Sequence, residues 1–320
     1  MLDRVIIALM NTWIYLGYFR VVCLHIRVTG EWPNPGCPRR LNDKFLWRKV
    51  FDRNPAFVTL SDKLESQVYA RQRCPEIRVP RTLWVGNSAS DIPPEILTGD
   101  VVVKATHGSG YVFPIFAGNF DRAELDARTQ AWMRQTFGRR HGEWGYLGLK
   151  PRLFVEEMIL DGEPGYLTTE AKLYVYCGQI GMIVMIYDRL QQSSAAVLHG
   201  DWTPSIDTNM IGASVASRPP PHNRTQIEDL ALRLCEGFDH MRCDLYLVGD
   251  EVFFGEYTVY NQGGYVLLQH DHKLVNAQAE AWDIRRSWFF STAQSGWRRI
   301  YAASLLRRLQ DIHRDGQRAA

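Results

Sequence analysis

The stretch Met241-Arg-Cys-Asp-Leu-Tyr-Leu-Val-Gly-Asp-Glu-Val-Phe-Phe-Gly-Glu-Tyr-Thr258 decides the fold. Two strand-favouring runs flank the turn dipeptide Gly249-Asp250, so the segment reads as a β-hairpin. Alternation puts Arg242 and Asp244 on one face of the first strand, and Glu256 and Thr258 on one face of the second. Two carboxylates beside an arginine on a sheet face are costly to bury unless something pairs with them. A divalent cation that itself holds a phosphate would do so. Register sets a condition. A strict two-residue turn would place Asp244 opposite Gly255 and leave Glu256 on the other face. A three-residue loop, or a bulge at Gly255, brings both carboxylates to one side, and one of these is expected. The plain alternative is a solvated outer face.

Outward from the hairpin, further polar groups sit at the ends of apolar strands. Residues 101–106 form a buried-type strand that delivers Lys104 and ends in His107-Gly-Ser-Gly110. An ammonium followed by exposed backbone N–H groups suits a polyphosphate. It is neither a Walker A loop nor a dinucleotide fingerprint, and a structural hairpin turn is the plain reading. In Arg152-Leu-Phe-Val-Glu-Glu-Met-Ile159 an apolar strand breaks into Glu156 and Glu157, either of which could accept from an adenine amino group or simply reach solvent. Glu170 and Lys172 share a strand face, as a salt bridge or as contacts to a ribose hydroxyl and a phosphate. Arg189, at the end of another apolar strand, could reach a transferring phosphoryl group. His270 and His272 have spacing that could bind metal, but nothing nearby completes a site, and they read as surface residues.

The chain alternates meandering strand pairs with helices, which predicts α+β layers and not a doubly wound parallel sheet. Helices are expected over 42–51, from a Ser61 cap to about 73, over 121–137 and over 225–238. Further strands are expected at 112–116, 153–159, 172–176 and 180–187. Residues 193–223 are polar and proline-rich, and read as a long loop and candidate lid.

The 320 residues are ample for a real core, and a formal charge of +2 is too small to argue for nucleic acid. Six cysteines without paired spacing favour reduced thiols and the cytosol. Residues 5–19 are mostly apolar but too short to span a bilayer. They make either a docked core helix or an interfacial one with Trp13, Tyr15, Tyr18 and Arg20 at headgroup level. Residues 297–318 carry six arginines on a basic amphipathic helix, usually half packed and half solvated, with contact to anionic lipid the lesser alternative.

In their order, these elements resemble the ATP-grasp fold, and more narrowly the TupA-like ATP-grasp family linked to teichuronopeptide and other surface-polysaccharide biosynthesis. The matching stretches are Asn42-Asp-Lys-Phe-Leu-Trp-Arg-Lys-Val-Phe-Asp-Arg-Asn-Pro55, Ser61-Asp-Lys63, Val103-Lys-Ala-Thr-His-Gly-Ser-Gly110, Gly142-Glu-Trp-Gly-Tyr146, Lys150-Pro-Arg152, Val155-Glu-Glu157, Arg242-Cys-Asp-Leu-Tyr246 and Phe254-Gly-Glu256. The resemblance implies two α+β subdomains with mainly antiparallel sheets sandwiching ATP. It divides the chain into an N-terminal helix (1–32), a leader and first subdomain (33–155), a second subdomain with the metal hairpin (156–275), and C-terminal helices (276–320).

By that resemblance, Lys104 and the loop His107, Gly108, Ser109 and Gly110 would cover the phosphates. Glu156, with Glu157, would meet the adenine, Glu170 the ribose and Lys172 a phosphate. Asp244 and Glu256 would hold one or two Mg²⁺ ions, and Arg242 would stabilise a tetrahedral oxyanion. Where many ATP-grasp enzymes place a metal-binding asparagine, this chain has Thr258, a weaker ligand, with Asn261 a possible substitute.

The implied reaction is ATP-dependent joining of a small-molecule or glycan carboxylate to an amine through an acyl phosphate. The implied setting is cytoplasmic, with peripheral membrane contact an open option and the oligomeric state unspecified. A kinase of a glycan hydroxyl would need the same groups. A silent nucleotide-binding module of a glycan assembly complex is a third reading. Asp244→Asn is expected to abolish turnover with the fold intact.

Overall fold

The computed structural model describes residues 1–160, 168–187, 193–205, 214–215, 218–266 and 272–319. Two sheets organise it, and among the described strands all pairings but one are antiparallel. The first comprises β1 (Thr82–Gly86), β2 (Val101–Ala105), β3 (Val112–Ile115) and β4 (Leu153–Glu157), in the order β1-β4-β2-β3. The second comprises β5 (Thr169–Tyr176), β6 (Gln179–Tyr187), β7 (Ser194–His199), β8 (Ser214–Val215), β9 (His240–Val248) and β10 (Glu251–Thr258), in the order β10-β9-β5-β6-β7-β8. The α+β fold expected from the sequence is therefore present. Pro114 sits on β3, an edge strand, where a missing N–H costs no ladder bond.

Each sheet keeps an apolar face against its own core. Val101, Val103 and Ala105 of β2 pack with Leu153 and Val155 of β4 beneath α6 (Arg122–Arg134), through its Leu125 and Trp132. Ala171, Leu173 and Val175 of β5 join Met241, Cys243 and Leu245 of β9 in the larger core, with Ile227 and Leu234 of α7 (Arg224–Leu234). The opposite faces carry the polar residues.

Between the N-terminal pair α1 (Leu2–Gly17) and α2 (Phe19–Thr29) and the second sheet lies α3 (Leu41–Val50), all ten of whose residues are buried. Its polar residues survive burial because each is paired. Arg48 donates to His240 O at 2.9 Å and is bound to the Asp239 carboxylate. Lys44 donates to the carbonyls of Ala279 and Trp282, both at 2.5 Å. After α3 come α4 (Ala56–Ser61) and α5 (Lys63–Arg73); the C-terminal elements are α8 (His272–Ala281), α9 (Trp288–Ser291) and α10 (Gly296–Ala319).

Several expectations change. Asp62, not Ser61, caps α5, accepting from Leu64 N and Glu65 N at 2.9 and 3.2 Å; Ser61 ends α4. The N-terminal segment is two helices, bent by 95°, and not one. The stretch 193–223 is not simply a loop: its apolar Ala195–Leu198 core pairs with β6 as β7, which satisfies backbone groups that a buried loop would strand. The rest of the lid reading falls largely outside the described residues. β1, unexpected from sequence, is five residues long and pairs irregularly with β4.

Candidate nucleotide and metal site

A cleft of about 370 Å³ opens between the polar faces of the two sheets. Strand alternation supplies its walls. On β2, Val102 and Lys104 turn away from the core into the cleft; on β3, Val112 and Pro114 do so, and on β4, Glu156. The second sheet presents ranks of side chains across β5, β9 and β10. Lys172 lies opposite Asp244, which lies opposite Glu256; in the next rank Tyr174 faces Arg242 and Arg242 faces Thr258.

That register depends on a bulge. Val248 pairs with Glu251 across a two-residue turn, and the pairing then shifts between Phe254 and Glu256. Gly255 is the extra residue, as expected, and without it Glu256 would point into the core. A Cβ there would lie 3.0 Å from Asp244 O and 3.2 Å from the Tyr246 ring, so glycine also lets the strands approach.

Opposite charges interlock on this surface. Lys172 Nζ donates to Glu170 Oε1 at 2.6 Å and to Asp244 Oδ2 at 2.5 Å. Arg242 grips Asp244 with Nε to Oδ1 at 2.6 Å and Nη2 to Oδ2 at 2.8 Å. Glu256 is more open, bordered by Lys63 at 3.6 Å and Arg242 at 3.7 Å. Burial works against the charge on Asp244, but Arg242 and Lys172 overcome it and hold the carboxyl below its usual range. For Glu256 burial is again the largest influence, outweighed by Lys63, Lys172 and Arg242. Burial likewise opposes the charge of Lys104, but its ion pair with Glu156 prevails and keeps the ammonium protonated.

The glycine loop is fastened from beneath. Lys63 donates to Gly108 O, and its own N–H to Thr106 O at 3.1 Å. Arg152 braces the same corner by pairing with Asp62 and Glu65, each at 3.0 Å. Gly108 is required: a Cβ would meet the Tyr111 ring at 2.4 Å.

The cleft brings together Lys104, Ser109, Gly110, Glu156, Glu157, Glu170 and Glu256, with Lys172, Asp244 and Arg242 joined to them by ion pairs. His107 and Gly108 do not line it. The His107 ring is buried, with Nε2 3.0 Å from Trp132 O, and anchors the loop to α6. Glu156 is occupied by Lys104 and by Gln67 at 3.4 Å, whereas Glu157 accepts from Arg81 N at 2.8 Å on the rim. Thr258 is not among the cleft-lining residues and stands beside Arg242. Asn261 is buried against His240 Nε2 at 2.9 Å. Arg189 and His270 lie outside the described residues.

Two residues at the site escaped the sequence reading: Lys63, visible only as part of a short motif, and Tyr246, hidden among strand aromatics.

Among the described residues no group of three or more His, Cys, Asp and Glu is placed to hold a metal. The pair Asp244 and Glu256 nonetheless fits Mg²⁺, which uses one or two carboxylates and fills its remaining positions with phosphate oxygens and water. Arg242, Lys172 and Lys63 here balance the charge that such an ion would share.

Beyond this site, buried polar atoms gather near the Gly142–Tyr146 turn. Among the described residues, Glu143 Oε2, Asn261 Oδ1, and the hydroxyls of Tyr260 and Tyr265 lack hydrogen-bond partners, although His141 Nδ1 lies 3.5 Å from Glu143 Oε2. Burial, then the carboxylates of Glu143 and Glu256, raise the Tyr146 hydroxyl.

A family model described as TupA-like ATPgrasp matches residues 43–274. No curated protein matches the chain. Among solved structures, it is similar to D-alanine–D-alanine ligase from Bacillus anthracis, at 17% identity over 79% of this chain and 69% of that one, with a TM-score of 0.41. The D-alanine–D-alanine ligase from Helicobacter pylori has 12% identity over 69% and 58%, with a TM-score of 0.39. The L-amino acid ligase from Bacillus licheniformis has 14% identity over 69% and 46%, with a TM-score of 0.38. The chain spans 53% of the length of another match, the Bacillus anthracis ligase complexed with ATP. Likenesses this loose decide nothing about substrate or reaction. The family match covers well over half of the chain and includes both sheets and the whole cleft, and on that ground the chain belongs to the TupA-like ATP-grasp family.

Proposed function

We propose that the chain is an ATP-dependent carboxylate–amine ligase that works in the cytoplasm on cell-surface polysaccharide precursors. One observation carries the reading. Lys104 and the Ser109-Gly110 loop of the first sheet, with Lys63 of α5, face the Lys172–Asp244–Glu256 rank of the second sheet across a single cleft. Its apolar wall of Val102, Val112, Pro114 and Met158 suits a purine, and its cationic end suits a triphosphate.

In this reaction a substrate carboxylate oxygen attacks the γ-phosphorus of ATP. The bond to the β-phosphate breaks, giving ADP and an acyl phosphate. The amine nitrogen then attacks the acyl carbon, phosphate leaves, and a proton is lost as the amide forms. Mg²⁺ bound with the polyphosphate would neutralise its charge. Lys104 and Lys63 hold phosphate oxygens as point charges. Arg242 lies where charge develops on the carbonyl oxygen, so it acts on the chemical step. Glu170 would accept from the ribose hydroxyls, and Glu157 or nearby backbone would read the base.

Nucleotide and phosphate accounting tests the reading. Protein, Mg²⁺ and ATP are incubated with pooled amino acids and uronic-acid or amino-sugar glycans, with Lys104→Ala as control. ADP and free phosphate should appear in equal amounts, and only when both substrates are present. ADP without free phosphate would instead identify a kinase.

A further inference from the structure

Helix α1 is apolar on two opposite sides. One side is docked: Ile14 is fully buried, Ile7 nearly so, and Asp3 is held by Arg307 of α10 at 2.6 Å. The other side carries Leu2, Val5, Leu9, Trp13 and Leu16, which fall within an arc of about 80° at roughly 100° per residue. Leu2, Leu9 and Leu16 are 69%, 59% and 76% exposed. α10 extends the patch, since Trp297 and Ile300 are exposed and the Trp297 ring lies 5.2 Å from that of Trp13. Phe19, also exposed, continues it where the chain turns into α2.

A contiguous apolar patch of this kind marks an interaction surface. Charge identifies its occupant. Arg4, Arg20, Arg298 and Arg299 are all exposed, on the same helices as the patch. Within residues 1–30 the lone carboxylate is Asp3, already paired with Arg307. A leucine stripe with tryptophans at its margin and exposed arginines on the same helices matches the layering of a lipid headgroup region. By its length α1 alone would lie on such a surface and not cross it. Its 16 residues reach about 24 Å, short of a hydrocarbon core of about 30 Å. Among the described residues no single helix is long and apolar enough to span.

We propose that this face seats on an anionic lipid bilayer, with Leu2, Leu9 and Leu16 entering the acyl boundary and Arg20, Arg298 and Arg299 engaging lipid phosphates. The contact needs neither nucleotide nor turnover, so it stands apart from the ligase reading.

Vesicle sedimentation tests it. The full chain should bind vesicles of phosphatidylcholine mixed with phosphatidylglycerol, bind phosphatidylcholine alone far more weakly, and release at high salt. Leu9→Glu with Leu16→Glu should weaken binding at least about tenfold. Arg298→Gln with Arg299→Gln should lower the salt dependence. Val68→Glu, an equally exposed site on α5, should change nothing. These positions are exposed, so thermal unfolding and ATP turnover should match the parent. The proposal is overturned if the parent ignores anionic vesicles, or if the double glutamate variant binds equally. It also fails if vesicles are not bound and light scattering finds a dimer that the double variant dissolves, since the face would then belong to a second copy.

Discussion

Asp244 and Glu256 stand opposite each other on β9 and β10, yet their surroundings differ. Glu256 is one-third exposed and bordered loosely by two cations, whereas Asp244 is wholly enclosed by Arg242 and Lys172. Glu256→Gln should therefore reduce turnover at least about 100-fold while leaving urea stability nearly unchanged. Asp244→Asn should also remove turnover, but it strips the countercharge from two buried cations and should destabilise the fold by about 3–5 kcal/mol. The intact fold expected from sequence alone overlooks that burial. Chemical unfolding of both variants beside a turnover assay separates the two cases, and equal stability loss would sink the distinction.

The same contrast applies to elements. The bulge at Gly255 was legible because turn length and alternation together allow only a few registers, and the two carboxylates select among them. The role of Lys63 was not legible. It acts through the carbonyl of Gly108, 45 residues away, and no spacing rule predicts that contact. Gly108 shows what the loop demands. Gly108→Ala forces a methyl group into the Tyr111 and Phe137 rings and should cost about 1–3 kcal/mol. Gly110→Ser should weaken nucleotide binding more than Gly108→Ala, because Gly110 lines the cleft at a φ of +76°, where any side chain is strained, whereas Gly108 lies behind it. Nucleotide titration of both variants decides this, and the reverse order would mean that the loop is not held as described.

At the scale of the molecule, burial of polar groups shapes acid behaviour. His25 is fully buried without a hydrogen-bond partner among the described residues, and burial pushes its imidazole down to about 4. His240, stacked on Tyr176, is driven down as well, by burial and then by Arg48. In the unfolded chain both titrate near 6.5. Stability from keeping His25 neutral is thus present above about 6.5 and lost as pH falls towards about 4, by at most about 3 kcal/mol. Urea midpoints measured from pH 7 to pH 4.5 should fall more steeply for the parent than for His25→Gln. Parallel slopes would show that the imidazole is not held neutral.

The chain's own order of residues determined the α+β class, the strands that bear Lys104, Lys172, Asp244 and Glu256, and the need for an odd-length loop or a bulge in the hairpin. These follow from local rules, since a period of two and a turn dipeptide act within a few residues. The closing of two sheets over one cleft, the enclosure of Asp244, the withdrawal of His107 to α6 and the service of Lys63 under the glycine loop were decided only by tertiary structure. So was the division of α1 into a docked face and an exposed one, because its apolar residues encircle it and only its neighbours determine which of them are covered. Burial is a property of the packed chain: it depends on contacts between residues far apart in sequence, and those contacts set which charges are paired and which surfaces stay open.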